Sequence, residues 1–321
     1  MPPSPAEVPP VPRKWRDTNL PELSGGTFVV TGANRGIGFE TALGLARRGA
    51  AVILAVRSVP IGEAAALRIR REVPWAAVGA RPLDLANLKS VRQFAAAFLD
   101  THHSLDGLVN NAGVMLAPQR QTADGFELHW GTNHLGHFAL TALLYPALSR
   151  SPSGRVVTVT SWVARMGRLE FGSRTKRRYS RQRAYASSKL ANLQFALELA
   201  RRLEAAGAAV GSMAVHPGYS NTSLMSSGLS LDHRGLARLA RAPGDWVAQP
   251  AAAGAWPSLF AAAAPEAVNG GFYGPGWFGL WGHPRALAPF PSAASRELAE
   301  RLWLESEAAT GATLALPLAP H

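Results

Sequence analysis

Short apolar runs alternate with amphipathic stretches along most of this chain. Residues 27–30, 51–56, 76–81, 105–109, 154–161 and 210–215 are rich in Val, Ile, Leu and Ala. Each is short and followed by Gly, Asn, Asp, Arg or hydroxyl residues, as buried strands are. Between them lie stretches with helical character at 39–48 (stopped by Gly49), 60–73, a segment that Asn87 caps, 131–148, and one running to about Glu204 before Gly207. Further along, 250–263 reads as a helix and 271–273 as a last strand. Residues 274–282 form an aromatic, glycine-rich segment. Residues 292–307 read as a terminal amphipathic helix with Leu298 and Leu302 at i, i+4. Residues 1–14 are Pro-rich and aperiodic, with Trp15 and Leu20 placed to pin the next few residues to the body; the tail after Thr310 reads as loose. The division expected is a tail over 1–23, one body over 24–290, and a C-terminal helix and tail over 291–321.

Composition narrows the class. A chain of 321 residues, 47% hydrophobic and 17% charged, is globular and long enough for one large core. It has no cysteine, which excludes disulfides, thiolate metal sites and cysteine nucleophiles and fits a reducing cytoplasm. No apolar run reaches the roughly 20 residues that span a bilayer, and Met1-Pro2-Pro3-Ser4-Pro5 is too proline-rich for a signal peptide. The expectation is a cytoplasmic protein with no membrane anchor.

The net charge of +12 is concentrated. Within 165–183 stand Arg165, Arg168, Arg174, Lys176, Arg177, Arg178, Arg181 and Arg183 against one acid, Glu170, a net +7. No helix-turn-helix, zinc-finger or RNA-binding pattern accompanies it, so no nucleic-acid partner is expected. The segment reads either as a solvated loop or as a basic rim that draws an acidic substrate or carrier protein.

Candidate chemistry collects where the strands end. Thr31-Gly-Ala-Asn-Arg-Gly-Ile-Gly38 sits between a strand and a helix, the context of a phosphate-binding turn. Its G-x-x-x-G-x-G spacing departs from the G-x-G-x-x-G fingerprint. The strand 51–56 is followed by Arg57, with no acid to meet a ribose 2′-hydroxyl. Arg35 and Arg57 suit a 2′-phosphate, although Arg57 also reads as a solvated strand end. Asp84, Asn110-Asn111-Ala112-Gly113 and Ser161 each end a strand at the same rim. His134 and His137 lie three apart with no third ligand in view, so they read as packing or capping residues and no metal is expected. Tyr185 and Lys189, four apart on a helix, share a face. An ammonium near a phenol favours the phenolate and lowers a pKa that is ordinarily about 10.

In this order, Thr31–Gly38, Asp84, Asn110–Gly113, Asn133, Ser161 and Tyr185/Lys189 resemble the short-chain dehydrogenase/reductase family over roughly residues 24–275. Gly131-Thr-Asn-His-Leu-Gly-His-Phe138 and the interval of 24 positions between Ser161 and Tyr185 resemble the branch of retinol dehydrogenases, the WW-domain oxidoreductase and protochlorophyllide reductase. The resemblance implies a single doubly wound α/β domain with a Rossmann-type parallel sheet of about seven strands. It also implies hydride transfer between NADP(H) and a carbonyl or alcohol. Tyr185, Lys189, Ser161 and Asn133 would be catalytic, with Asn133 holding a relay water. The cofactor would be held by Gly32, Asn34, Arg35, Gly36, Ile37, Gly38, Arg57, Asp84, Leu85, Asn110, Ala112, Gly113, Tyr185, Lys189, Pro217, Gly218 and Thr222. Residues 220–245 would be a mobile substrate loop, and a homodimer would pair through the helices carrying Asn133 and Tyr185. A non-catalytic NADP(H) sensor or scaffold of the same fold is the alternative. Trp162, Tyr219 and Trp277 are the candidate substrate contacts, with Leu224 and Met225 in the adjoining loop. Trp277, Phe278 and Trp281 read equally as packing for the C-terminal helix or as an apolar wall over the site.

Overall fold

The computed structural model describes residues 9–171, 179–219 and 249–316. Eight strands form one sheet in the order β3-β2-β1-β4-β5-β6-β7-β8. In chain order they are β1 (Thr27–Thr31), β2 (Ala51–Val56), β3 (Val78–Pro82), β4 (Gly107–Asn110), β5 (Arg155–Val159), β6 (Gly211–Val215), β7 (Phe272–Trp277) and β8 (Trp281–Ala286). The first seven run parallel, while β8 is antiparallel to β7. The expectation of about seven strands is thus exceeded by one. The aromatic segment folds into a hairpin whose glycines and Pro275–Pro284 pair hide its strand pattern.

Among the described residues the α-helices are α1 (Gly36–Ala46), α2 (Val59–Glu72), α3 (Leu88–Leu99), α4 (Gly136–Leu148), α5 (Arg181–Ala205), α6 (Ala251–Ala263), the short α7 (Pro291–Ala294) and α8 (Arg296–Thr310). Asn87 caps α3 as expected, accepting from the Lys89 and Ser90 amides. Helices α1, α2 and α6 pack on one face of the sheet, and α3, α4 and α5 on the other. The strands are therefore apolar on both sides, which explains the continuous runs. The chain order reverses between β1 and β4, which opens a crevice beyond their carboxyl ends.

Both ends of the described chain are tied down. Trp15 is buried edge-on against Phe260, at 5.3 Å between ring centroids, and its carbonyl pairs with His283 Nδ1 at 3.0 Å. The expected terminal helix is split, because Ser295 caps a new helix at α8. The tail expected to be loose is held through residue 316. Arg92 donates to the Thr310 carbonyl at 2.7 Å, Ala312 is buried, and Leu314 and Leu316 pack on the core.

Helix α8 lies across α4 and α5, with Trp303 edge-on to Phe138 at 5.1 Å, stacked on Phe195 at 6.0 Å, and Arg202 4.4 Å above it. A homodimer pairing through the outer faces of α4 and α5 would have to displace it. Trp303→Ala is expected to cost about 3–5 kcal/mol, the usual range for deleting a buried large aromatic. Chemical denaturation checks this, and a loss under about 1 kcal/mol would show that α8 adds little.

Candidate active site

The first half of the site is the turn between β1 and α1. Gly32 has φ +65°, and a Cβ there would stand 3.0 Å from Ala112. At Gly38 a Cβ would press into the Gly32 carbonyl at 2.8 Å and into the Asn111 side chain, so helix and strand approach closely only with glycine. Thr31 binds the neighbouring strand end: its hydroxyl accepts the Asn111 and Ala112 amides, each at 2.9 Å, and Asn111 Nδ2 donates to the Thr31 carbonyl at 2.7 Å. The Asn110–Gly113 segment is thereby clamped beside the glycine turn. Asn110 Nδ2 donates to Thr141 Oγ1 at 3.0 Å.

The rest of that rim is formed by the neighbouring strand ends. Arg35 is the exposed residue before α1, with Asn34 and Gly36 beside it and Ile37 buried below. Arg57 is exposed just beyond β2. Asp84 accepts the Ala86 amide at 3.0 Å, and Leu85 is buried with its carbonyl against Gly136. These residues fit a nicotinamide dinucleotide: a left-handed glycine turn opens a helix N-terminus, with two guanidinium groups beyond it.

The second half is built from β5, α5 and the helix before α4. Residues Trp130–Leu135 form a turn of π-helix, which accounts for Asn133 inside a helical run. The wider turn lets the Asn133 side chain reach sideways. It accepts the Val114 amide at 2.7 Å and donates to the Val114 carbonyl at 3.0 Å and to Ser188 Oγ at 2.9 Å. Asn133 therefore joins the loop after β4 to α5. Its own carbonyl pairs with His137 Nδ1 at 2.9 Å, while His137 Nε2 meets Thr31 Oγ1 at 2.9 Å. This bridge between the two halves was not legible in the sequence. Burial lowers His134 to about 3 and His137 to about 4, so both rings are neutral, and His134 Nε2 meets Ser306 Oγ at 2.8 Å. Among the described residues no acidic or histidine cluster is arranged to hold a metal.

Ser161 stands at the end of β5 before the short helix Trp162–Met166, and its hydroxyl bonds Tyr185. Tyr185 and Lys189 are both buried on the inner face of α5. Lys189 Nζ donates to the Val159 carbonyl at 2.9 Å. A Cβ on Gly113 would lie 3.2 Å from Asn133 Oδ1 and 3.6 Å from Lys189 Nζ, so these groups converge beside the Asn110–Gly113 segment.

One electrostatic expectation is corrected here. Burial pushes Tyr185 up to about 12, with the Ser161 bond pulling the other way, and burial lowers Lys189 to about 8. In this arrangement the ammonium is directed at the Val159 carbonyl, and desolvation sets the direction of the phenol's shift. Between about 8 and 10.5 the folded chain binds fewer protons at Lys189 than the unfolded chain, so this group's contribution to stability rises with pH across that window.

On the substrate side, Pro217 and Gly218 turn the chain after β6. The Pro217 carbonyl accepts from Gln249 Nε2 at 2.7 Å, and the Tyr219 amide donates to Leu280 O at 3.0 Å. Trp162 lies under the tip of the β7–β8 hairpin, where a Cβ on Gly279 would be 3.2 Å from its ring. Trp277 and Phe278 are 67% and 80% exposed, so of the two readings left open the packing role fails for them. Together with Trp162 and Tyr219 they present an apolar rim beside Ser161. Thr222, Leu224, Met225 and the loop 220–245 lie outside the described residues, as does the middle of the basic segment 165–183. No helix among the described residues is long and apolar enough to cross a membrane.

Fold and site together define a dinucleotide-linked oxidoreductase of the short-chain type. The short chain dehydrogenase family pattern matches residues 27–230, and the chain belongs to that family. Within it, human retinol dehydrogenase 13 is 42% identical over 295 residues, 90% of this chain and 86% of that protein. The crystal structure of an uncharacterized protein from Mycobacterium Paratuberculosis is 41% identical with a TM-score of 0.77, covering 94% of this chain and 100% of that one. A short chain dehydrogenase from Shigella flexneri 2A str. 301, complexed with NADP, is 25% identical with a TM-score of 0.61, covering 78% of this chain and 97% of that one.

Proposed function

We propose that the protein interconverts a carbonyl and an alcohol on a bulky hydrophobic molecule with NADP(H). The observation that carries this reading is the convergence of Ser161, Tyr185, Lys189 and Asn133 beside the glycine turn, under an exposed aromatic rim. When bound, the nicotinamide supplies or accepts the hydride. Tyr185 gives its proton to the carbonyl oxygen in reduction and takes it back in oxidation. Ser161 donates to the same oxygen as charge develops there. Lys189 and Asn133, both close to Gly113, pass the proton onward through a relay water. The NADP complex of the Shigella flexneri relative and the polyene alcohol in the human relative's name support the cofactor and a long apolar substrate.

The test is a screen of oxidation and reduction with NADP(H) across retinoids, polycyclic ketones, long-chain alcohols and small aldehydes. kcat/KM is expected to rise with apolar size, by up to about 0.8 kcal/mol per buried methylene. Trp277→Ala should flatten that trend chiefly through KM. Better turnover of small polar carbonyls would reject the apolar substrate, and no turnover of any carbonyl or alcohol would leave the sensor reading instead.

A pH profile follows from the same pair. With Lys189 near 8 and Tyr185 near 12, the first proton to leave comes from the lysine end. Oxidation needs a proton acceptor and should speed up as pH rises through about 8, while reduction slows across the same window. Profiles that are flat there in both directions would remove Lys189 from the relay.

A further inference from the structure

Beside Tyr185 lies a second, half-buried polar cluster that the hydride chemistry does not use. The carboxylate of Glu127 collects donors from its own segment and from across the fold. Oε1 accepts from His129 Nδ1 at 2.8 Å and from the His129 amide at 3.0 Å, and Oε2 accepts from the Trp130 amide at 2.8 Å. The Tyr179 hydroxyl lies 3.1 Å from Oε1 and 3.2 Å from the Ala117 carbonyl, so its proton serves either acceptor. Burial raises the Glu127 carboxyl, but the bonds from His129 and Trp130 outweigh it and hold the group below its ordinary value. Burial, and then the Glu127 charge, push the Tyr179 phenol up, so it remains a donor.

His129 is buried, and its tautomer follows from its partners. The Ala117 amide donates to Nε2 at 3.2 Å, so the proton of the neutral ring sits on Nδ1 and faces Glu127. Ala117 is therefore gripped at its N–H by His129 and at its carbonyl by Tyr179. Four residues downstream of His129, Asn133 holds Val114 at both its N–H and its carbonyl. Between these grips Leu116 is held at φ +53°, a conformation that leucine rarely adopts unless its surroundings impose it. The segment 114–117 continues directly from Asn110–Gly113, and the His129 ring stands edge-on to Tyr185 at 6.3 Å.

We propose that Tyr179, Glu127 and His129 are positioning residues: a half-buried relay that fixes the 114–117 segment and the Tyr185 ring in their working geometry without touching the cofactor. The proposal rests on Tyr185 being the proton-transfer residue.

The experiment compares Tyr179→Phe, Glu127→Gln and the double variant with the unsubstituted protein, on the best substrate from the screen. Tyr179→Phe removes one hydroxyl from a half-buried ring, so it should fold. Each single variant is expected to lower kcat by on the order of ten- to a hundredfold, as sub-ångström misplacement of reacting groups does. The Kd for NADP(H) should stay within about twofold. The double variant should be no worse than Glu127→Gln alone, because both act through Ala117. Unchanged kcat in both single variants overturns the proposal. So does a loss of activity that tracks a loss of thermal midpoint and adds in the double variant, since that is a scaffold effect. Tyr185→Phe is measured alongside: if it stays active, the hydride-transfer reading fails; if it is dead while Tyr179→Phe and Glu127→Gln are normal, only the relay fails.

Discussion

Tyr185→Phe is expected to lower kcat by about 10²–10⁴, the range that a positioned acid–base group supplies. The substitution keeps the ring that packs against His129 and deletes only the hydroxyl that bonds Ser161. Folding and NADP(H) affinity should therefore be almost unchanged, because the glycine turn and the two arginines lie on other elements. Removing a buried phenol hydroxyl leaves the Ser161 hydroxyl to find another partner, which costs at most about 1–3 kcal/mol of stability. Steady-state kinetics with a cofactor titration check both halves. Retention of more than about a tenth of wild-type kcat would dismiss Tyr185 as the proton donor.

NADP(H) is expected to bind at least about tenfold tighter than NAD(H), since charge-assisted hydrogen bonds contribute roughly 1.5–3 kcal/mol each. Arg57 stands beyond the end of β2 and Arg35 before α1, where a ribose 2′-phosphate would lie relative to a glycine turn. Both are exposed, so screening places the effect toward the lower end of that range, and the preference should narrow as salt is raised. Arg57→Asp should erode or invert the ratio, because a carboxylate repels the phosphate and accepts from a ribose hydroxyl. Equal Kd values for the two cofactors in the wild-type protein would refute the assignment.

Elements whose burial shows in composition were legible from sequence. β2 falls on the expected run 51–56, and Thr31–Gly38 opens its helix where the glycines indicated. Asn133 stood out as a costly residue inside a helix, and the π-turn supplies the reason. Of the hairpin β7–β8 only the start, 271–273, reads as a strand, because two prolines and several glycines replace the alternation by which a strand is recognised. The Glu127, His129 and Tyr179 cluster did not stand out. A lone Glu two residues before a His looks like any exposed polar pair, and Tyr179 joins it from 52 positions away. The Tyr185/Lys189 spacing was visible, but the direction of the phenol's shift was not, since desolvation depends on what the fold packs around it.

The lodging of Trp15 has a consequence for how the chain comes to be made. Its socket consists of Phe260 and, through its carbonyl, His283, 268 positions downstream. Trp256 completes the joint, stacked on His283 at 5.2 Å with Arg16 5.8 Å above it. During ribosomal synthesis at about 5–20 residues per second, the socket is completed tens of seconds after Trp15 leaves the exit tunnel. For that interval a large indole is in water with nowhere native to go. The glycine turn and β1 through β6 emerge in sequence and can assemble beforehand, so the beginning of the polypeptide is among the last parts to dock. The contacts of Trp15 and Arg16 can therefore form only once residues 256–283 are in place.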